Sequence, residues 1–85
     1  MNKRKLLMQI KNSQINVGYV DFVTLIEAFG FIRVRGEGSH SVYKRGGVPK
    51  IMCIQNDKGK AKPYQIRQFF AIIQEFELKL EDDNG

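Results

Sequence analysis

The stretch that decides the fold is "FIRVRGEGSHSVYKRGGVPKIMCIQ", residues 31–55. "FIRVR" (31–35) alternates: Ile32 and Val34 point one way, Arg33 and Arg35 the other, as in a half-buried strand. "GEGS" (36–39) turns the chain into "HSVYKR" (40–45), a second strand. Gly46-Gly47 suits a two-residue hairpin connection, because glycine accepts the positive φ such turns need. "VPKIMCIQ" (48–55) reads as a third strand, with Pro49 marking an end that lies on an edge or outside the ladder. In the middle strand His40, Val42 and Lys44 share one face, while Ser41, Tyr43 and Arg45 share the other. Tyr43 is large enough to pack inward, which turns His40 and Lys44 outward; that register is preferred. The reverse buries Val42 and draws His40 inward, and the pattern alone leaves both open.

Helical periods flank this sheet. "KRKLLMQIK" (3–11) places Leu6, Leu7 and Ile10 on one side, and "NSQIN" (12–16) connects it onward. In "GYVDFVTLIEAFG" (18–30), starting at Val20 or Asp21, Phe22, Leu25, Ile26 and Phe29 recur at helical spacing. Gly30 is a natural stop. "NDKGKAK" (56–62) is a polar, basic loop, and Pro63 opens a helix where its missing N–H is harmless. That helix carries Ile66, Phe69, Phe70, Ile73, Phe76 and Leu80 on one side. Tyr64 and Gln65, in its first turn, read as packing against the sheet or as fixing the loop, packing first. The tail "EDDNG" (81–85) is expected to fray. The order α-α-β-β-β-α over a single domain, 1–85, is an α+β fold: helices on one face of a three-stranded antiparallel sheet, the other face open to solvent or a ligand.

Composition narrows the function. The chain has 85 residues, six Phe and three Tyr, enough for one compact core. No apolar run approaches the length of a membrane span, and the basic start lacks a signal peptide's apolar length and cleavage site. A single cysteine, Cys53, excludes an internal disulfide and fits a reducing cytoplasm. Within "KIMCIQ" it reads as a small core residue. One Cys and one His argue against a Cys/His metal site. Charge is uneven. Residues 31–67 hold nine Lys or Arg against Glu37 and Asp57, whereas residues 68–85 hold Lys79 against five acids. The basic middle suggests a polyanionic partner.

His40 is the only histidine. Gly36 and Gly38 before it allow backbone N–H groups to approach an anion closely, and Ser39 adds a hydroxyl. A phosphate held there would sit beside an imidazole, a group suited to proton transfer near neutral pH. Arg35, Lys44 and the 58–62 lysines would offset charge developing on that phosphate.

"FGFIRVRGEGSHSVYKR" resembles the motif of HicA toxins: a helix ending in Gly-Phe, a strand, Gly-Ser-His, an aromatic three residues on, then a basic residue. "GKAKPYQIRQFF" and "NVGYVDFVTLIEAFGF" are similar to the longer branch of that family, which has an added N-terminal helix, and the resemblance spans roughly residues 3–80. It implies a fold like a double-stranded-RNA-binding domain and a bacterial or archaeal cytoplasmic endoribonuclease that cleaves mRNA and inhibits translation without a metal or other cofactor. It also implies a HicB antitoxin that covers the active site, with any DNA contact made through that antitoxin. The family's catalytic histidine falls on His40 and its Gly-Ser pair on Gly38 and Ser39. RNA phosphates are then expected at Gly38, Ser39, Arg35, Lys44, Arg45, Lys58, Lys60 and Lys62. Two departures stand out: Ser41 takes the place of the second His found in many members, and "KIMCIQ" lacks the histidine of shorter ones. A second acid or base would therefore be a Lys, Tyr43, a substrate group or water. The rival readings are a non-catalytic RNA-binding module of the same fold and a small domain with a merely acidic partner.

Overall fold

A computed structural model describes residues 2–81. Its elements run α1 Lys3–Asn12, α2 Tyr19–Ala28, β1 Ile32–Glu37, β2 His40–Lys44, β3 Met52–Gln55 and α3 Pro63–Glu75. The three strands are antiparallel in the order β1-β2-β3. Helices pack on one sheet face only, the arrangement of a double-stranded-RNA-binding domain, as the pattern of elements predicts.

Each helix begins and ends for a local reason. The Asn2 side chain accepts hydrogen bonds from the N–H groups of Arg4 (2.8 Å) and Lys5 (3.2 Å) and so caps α1. Leu6 and Ile10, four residues apart, turn its buried stripe inward. At the end of α2, Gly30 takes φ 91°. Its N–H donates to Glu27 O (3.0 Å) and that of Phe31 to Ile26 O (3.4 Å), closing a Schellman motif.

The last helix stops earlier than its apolar pattern suggests. It ends at Glu75, and Glu77 adopts the left-handed φ of 51°. Glu77 N–H donates to Gln74 O and Leu78 N–H to Ile73 O, a second Schellman closure without a glycine. Leu78 and Leu80 fold back against the core. Glu81, expected in a frayed tail, donates its N–H to Ala28 O (2.8 Å) and pairs with Arg45 (3.0 Å). Asp82 to Gly85 lie outside the described residues. A left-handed L-residue costs about 1–2 kcal/mol, of which glycine's unfolded-state entropy takes back part. Glu77→Gly is therefore expected to stabilise the domain by about 0.5–1 kcal/mol, read as a higher urea midpoint.

Phe69 is the hub of the core. Its ring meets Phe22, Phe29 and Phe31 edge-on at centroid distances of 5.8, 5.5 and 5.7 Å. Tyr43, Met52 and Ile54 supply the sheet's share. Tyr43 is 4% exposed, so the preferred register holds and His40 faces outward. Burial, then the Glu27 carboxylate, raises the Tyr43 phenol above its ordinary value. The unfolded chain loses that proton first, so stability falls as pH rises past 10.0. An alkaline denaturation series with Tyr43→Phe as reference reads the difference.

Three sheet expectations are corrected. Strand β1 is exposed along its whole length, with Ile32 65% and Val34 48% exposed. It is the sheet's edge, and a bulge between Arg33 and Arg35 makes Val34 the extra residue. Arg33 and Arg35 therefore take opposite faces: Arg33 reaches Ser41 Oγ (3.5 Å) beside the inner positions, while Arg35 pairs with the outward Val42. Strand β3 begins at Met52, not Val48. Gly46 and Gly47 do form a turn, closed by Val48 N–H to Arg45 O at 3.1 Å, but Val48 then dips into the core and Pro49 offers no N–H to a ladder. Cys53 is exposed rather than a core residue, because Met52 and Ile54 take the inward positions on either side of it.

Candidate nucleic-acid interface

Strands β1 and β2 join through a two-residue turn, Gly38-Ser39, flanked by the cross-strand pair Glu37 and His40. Gly38 has φ 61°, and nothing lies within 4 Å of where its Cβ would stand. The turn is thus left-handed at glycine and open on its outer side, where an anion can approach. Ser39 O accepts the Asn56 N–H at 2.8 Å, which ties the turn to the loop after β3. His40 pairs with Gln55 on its other flank. Gln65, only 5% exposed, accepts the Gln55 N–H through Oε1 (3.0 Å) and donates through Nε2 to the Tyr64 hydroxyl (3.2 Å). Gln65 is thus both packed and bonded to the end of β3 beside His40, so the two roles considered for it, packing and fixing the adjoining chain, occur together. A polar residue inside an apolar helical stripe was the signal.

The exposed face carries an open cleft of ≈ 480 Å³ lined by Arg35, Gly36, Glu37, His40 and Val42. It brings together two expected site residues, Arg35 and His40, and the Gly38-Ser39 turn adjoins it in sequence between Glu37 and His40. It also brings one the sequence reading passed over, Glu37. A two-residue turn after position 37 was the available signal, since it sets residues 37 and 40 opposite each other.

The remaining cations divide. Lys58 and Lys60 are exposed on a tight turn closed by reciprocal hydrogen bonds between Asp57 and Lys60 (2.9 and 3.0 Å), at the His40 end of the sheet. Its backbone is also held by Tyr19 N–H to Gly59 O (2.9 Å) and Ala61 N–H to Val17 O (2.8 Å). Lys62 pairs with Asp57 at 3.4 Å. Lys44 shares the outer face but stands four residues along β2, roughly 13 Å from His40 at strand rise. Arg45 is not brought to this face: its guanidinium holds Phe29 O (2.8 Å), Gly46 O (3.2 Å) and Glu81 (3.0 Å). Tyr43, one suggested second acid, is buried on the opposite face. Among the described residues, no three His, Cys, Asp or Glu side chains gather as a cation site, and no helix is long and apolar enough to cross a membrane.

The whole is an α+β domain of the double-stranded-RNA-binding type, with one imidazole on an open, basic sheet face. The family model described as "HicA toxin of bacterial toxin-antitoxin" matches residues 19–77, which spans α2 through α3. The chain belongs to the HicA toxin family, the toxin half of a toxin–antitoxin pair, and α1 stands as an addition before the matched segment. Comparison with curated proteins returned no match, and comparison with solved structures returned none either.

Proposed function

We propose that this toxin is an endoribonuclease that cleaves single-stranded mRNA in the cytoplasm and so inhibits translation, with His40 as its proton-transfer group. The observation that carries the reading is the placement of the chain's only imidazole, exposed on the open face beside the Gly38-Ser39 turn and in one cleft with Arg35. A phosphodiester seats against the turn's N–H groups and the Ser39 hydroxyl, and Arg35 offsets its charge. His40 takes the proton from the ribose 2′-OH. The 2′-oxygen attacks the adjacent phosphorus, the bond to the 5′-oxygen breaks, and that oxygen leaves with a proton from water. The products are a 2′,3′-cyclic phosphate and a 5′-hydroxyl. The nucleophile belongs to the substrate, so no step calls for a metal or cofactor.

Lys58 and Lys60 extend the phosphate track from the turn, and Lys44 serves a more distant phosphate along the same face. Arg45 and Lys62, already engaged, contribute little. The antitoxin partner, of HicB type, covers the outer sheet face, and DNA is reached only through it. A non-catalytic RNA-binding module would use the same cations but need no imidazole at the turn.

Salt titration tests the track. Each phosphate contact contributes about 0.7 to the slope of log affinity against log salt for single strands. The Lys58→Ala/Lys60→Ala variant should flatten the slope by about 1.4, measured by fluorescence anisotropy with His40→Ala as background so that the RNA stays intact. An unchanged slope would leave both as solvent charges.

A further inference from the structure

Glu37 is the only acidic residue in the three strands, and it stands on the face that the proposed function assigns to a polyanion. A carboxylate there weakens RNA attraction, so its position calls for a reason. Its register supplies one. Glu37 is the direct cross-strand partner of His40, on the same face and in the same cleft. Opposed residues in an antiparallel pair hold their Cβ atoms roughly 4.5–5.5 Å apart. The two exposed side chains make no hydrogen bond with each other in the structure, and rotation of the Glu37 side chain brings its carboxylate within reach of the ring. The two-residue turn leaves this pair no freedom to slip.

We infer that Glu37 is a positioning residue for His40: its carboxylate accepts a hydrogen bond from one ring N–H and so leaves the other ring nitrogen free to face the 2′-OH. The inference rests on the reading of His40 as the proton acceptor. A histidine's two nitrogens are distinct, and the bond made by one decides what the other can do. When the free nitrogen takes the substrate's proton, the cation forms beside a carboxylate. No atom leaves Glu37, and the proton stays on the ring. Arg35 is the other charged group on β1 near the pair, Lys44 lies along β2, and β3 presents the uncharged Gln55 and the Cys53 thiol. The adjoining loop adds Asp57, paired with Lys62, together with Lys58 and Lys60. None of these shares the turn-flanking register with His40.

The test uses Glu37→Gln and Glu37→Asp in the full chain. In the serine-protease template, a partner that sets the wrong tautomer costs ~10⁴-fold. The cleft here is open to water, so the expected loss in kcat for Glu37→Gln is smaller, about 10–100-fold. RNA affinity should rise, because a negative charge has left the face. Glu37→Asp should recover part of kcat. In a His40→Ala background, Glu37→Gln should lower the residual kcat no further, while RNA affinity still rises. An unchanged kcat with tighter binding would overturn the inference. A second readout needs no RNA. His40 is the only imidazole, so its ring-nitrogen NMR signals are unambiguous. Glu37→Gln should redistribute the neutral ring's proton between the two nitrogens; unchanged signals would overturn the pairing. If wild type cleaves no RNA, the nuclease reading falls, while the ring signals still decide whether Glu37 holds His40.

Discussion

His40→Ala is expected to end growth arrest by the toxin and to lower RNA cleavage by ~10²–10⁴-fold, the usual worth of a general acid or base. That range corresponds to about 2.7–5.5 kcal/mol of barrier. The domain should remain folded. The His40 side chain is exposed, and β2 pairs with Glu37 on one flank and Gln55 on the other through backbone groups that alanine keeps. A surface substitution of this kind costs within about 0.5 kcal/mol. Expression without antitoxin, with a urea melt of the purified variant beside it, separates the two effects. A variant that folds and still arrests growth would contradict the assignment. One that unfolds would make His40 structural.

Phe69→Ala is expected to remove a large share of the domain's stability. Phe69 is fully buried and meets three other phenylalanine rings edge-on. Deleting a buried Phe costs about 3–5 kcal/mol in transfer and cavity terms. A chain of 85 residues has about 4–13 kcal/mol in all. The cavity would open where α2, the chain entering β1 and α3 converge, so none of them can collapse alone to fill it. Phe70→Ala is the control: the neighbouring ring is only partly buried, and its loss should cost visibly less. Urea midpoints measure both. The consequence reaches function, since Phe69→Ala should lose toxicity with His40 and its cleft residues intact in sequence. A Phe69→Ala midpoint close to wild type would contradict this view of the core.

Element order and the outward placement of His40 were legible because they follow from periodicity and from one large residue. Tyr43 cannot leave its ring in water as cheaply as Val42 can leave its methyls, so the register resolved in favour of an exposed imidazole. The β1 bulge was not legible. Ile32-Arg33-Val34-Arg35 alternates whether or not Val34 is an extra residue, and only the pairing with β2 distinguishes the cases. Cys53 was misplaced for a simpler reason. It was read as core from its apolar neighbours alone; the alternation that buries Met52 and Ile54 turns it outward.

The end of α3 was hidden because Glu77 closes it in a conformation normally marked by glycine. Arg45 looked like a phosphate ligand because charge alone does not show a guanidinium committed to Phe29 O and Glu81. Glu37 was passed over because a lone acid on a basic stretch reads as noise until the turn places it against His40. The family motif marked Gly38, Ser39 and His40; the fold adds which cations stand near them.

The most direct measurement is incubation of end-labelled single-stranded RNA with purified toxin in EDTA, followed by mapping of the product ends, with His40→Ala purified in parallel. The account predicts fragments ending in 2′,3′-cyclic phosphate from wild type alone. RNA bound by both proteins and cut by neither, or cut equally by both, would contradict it.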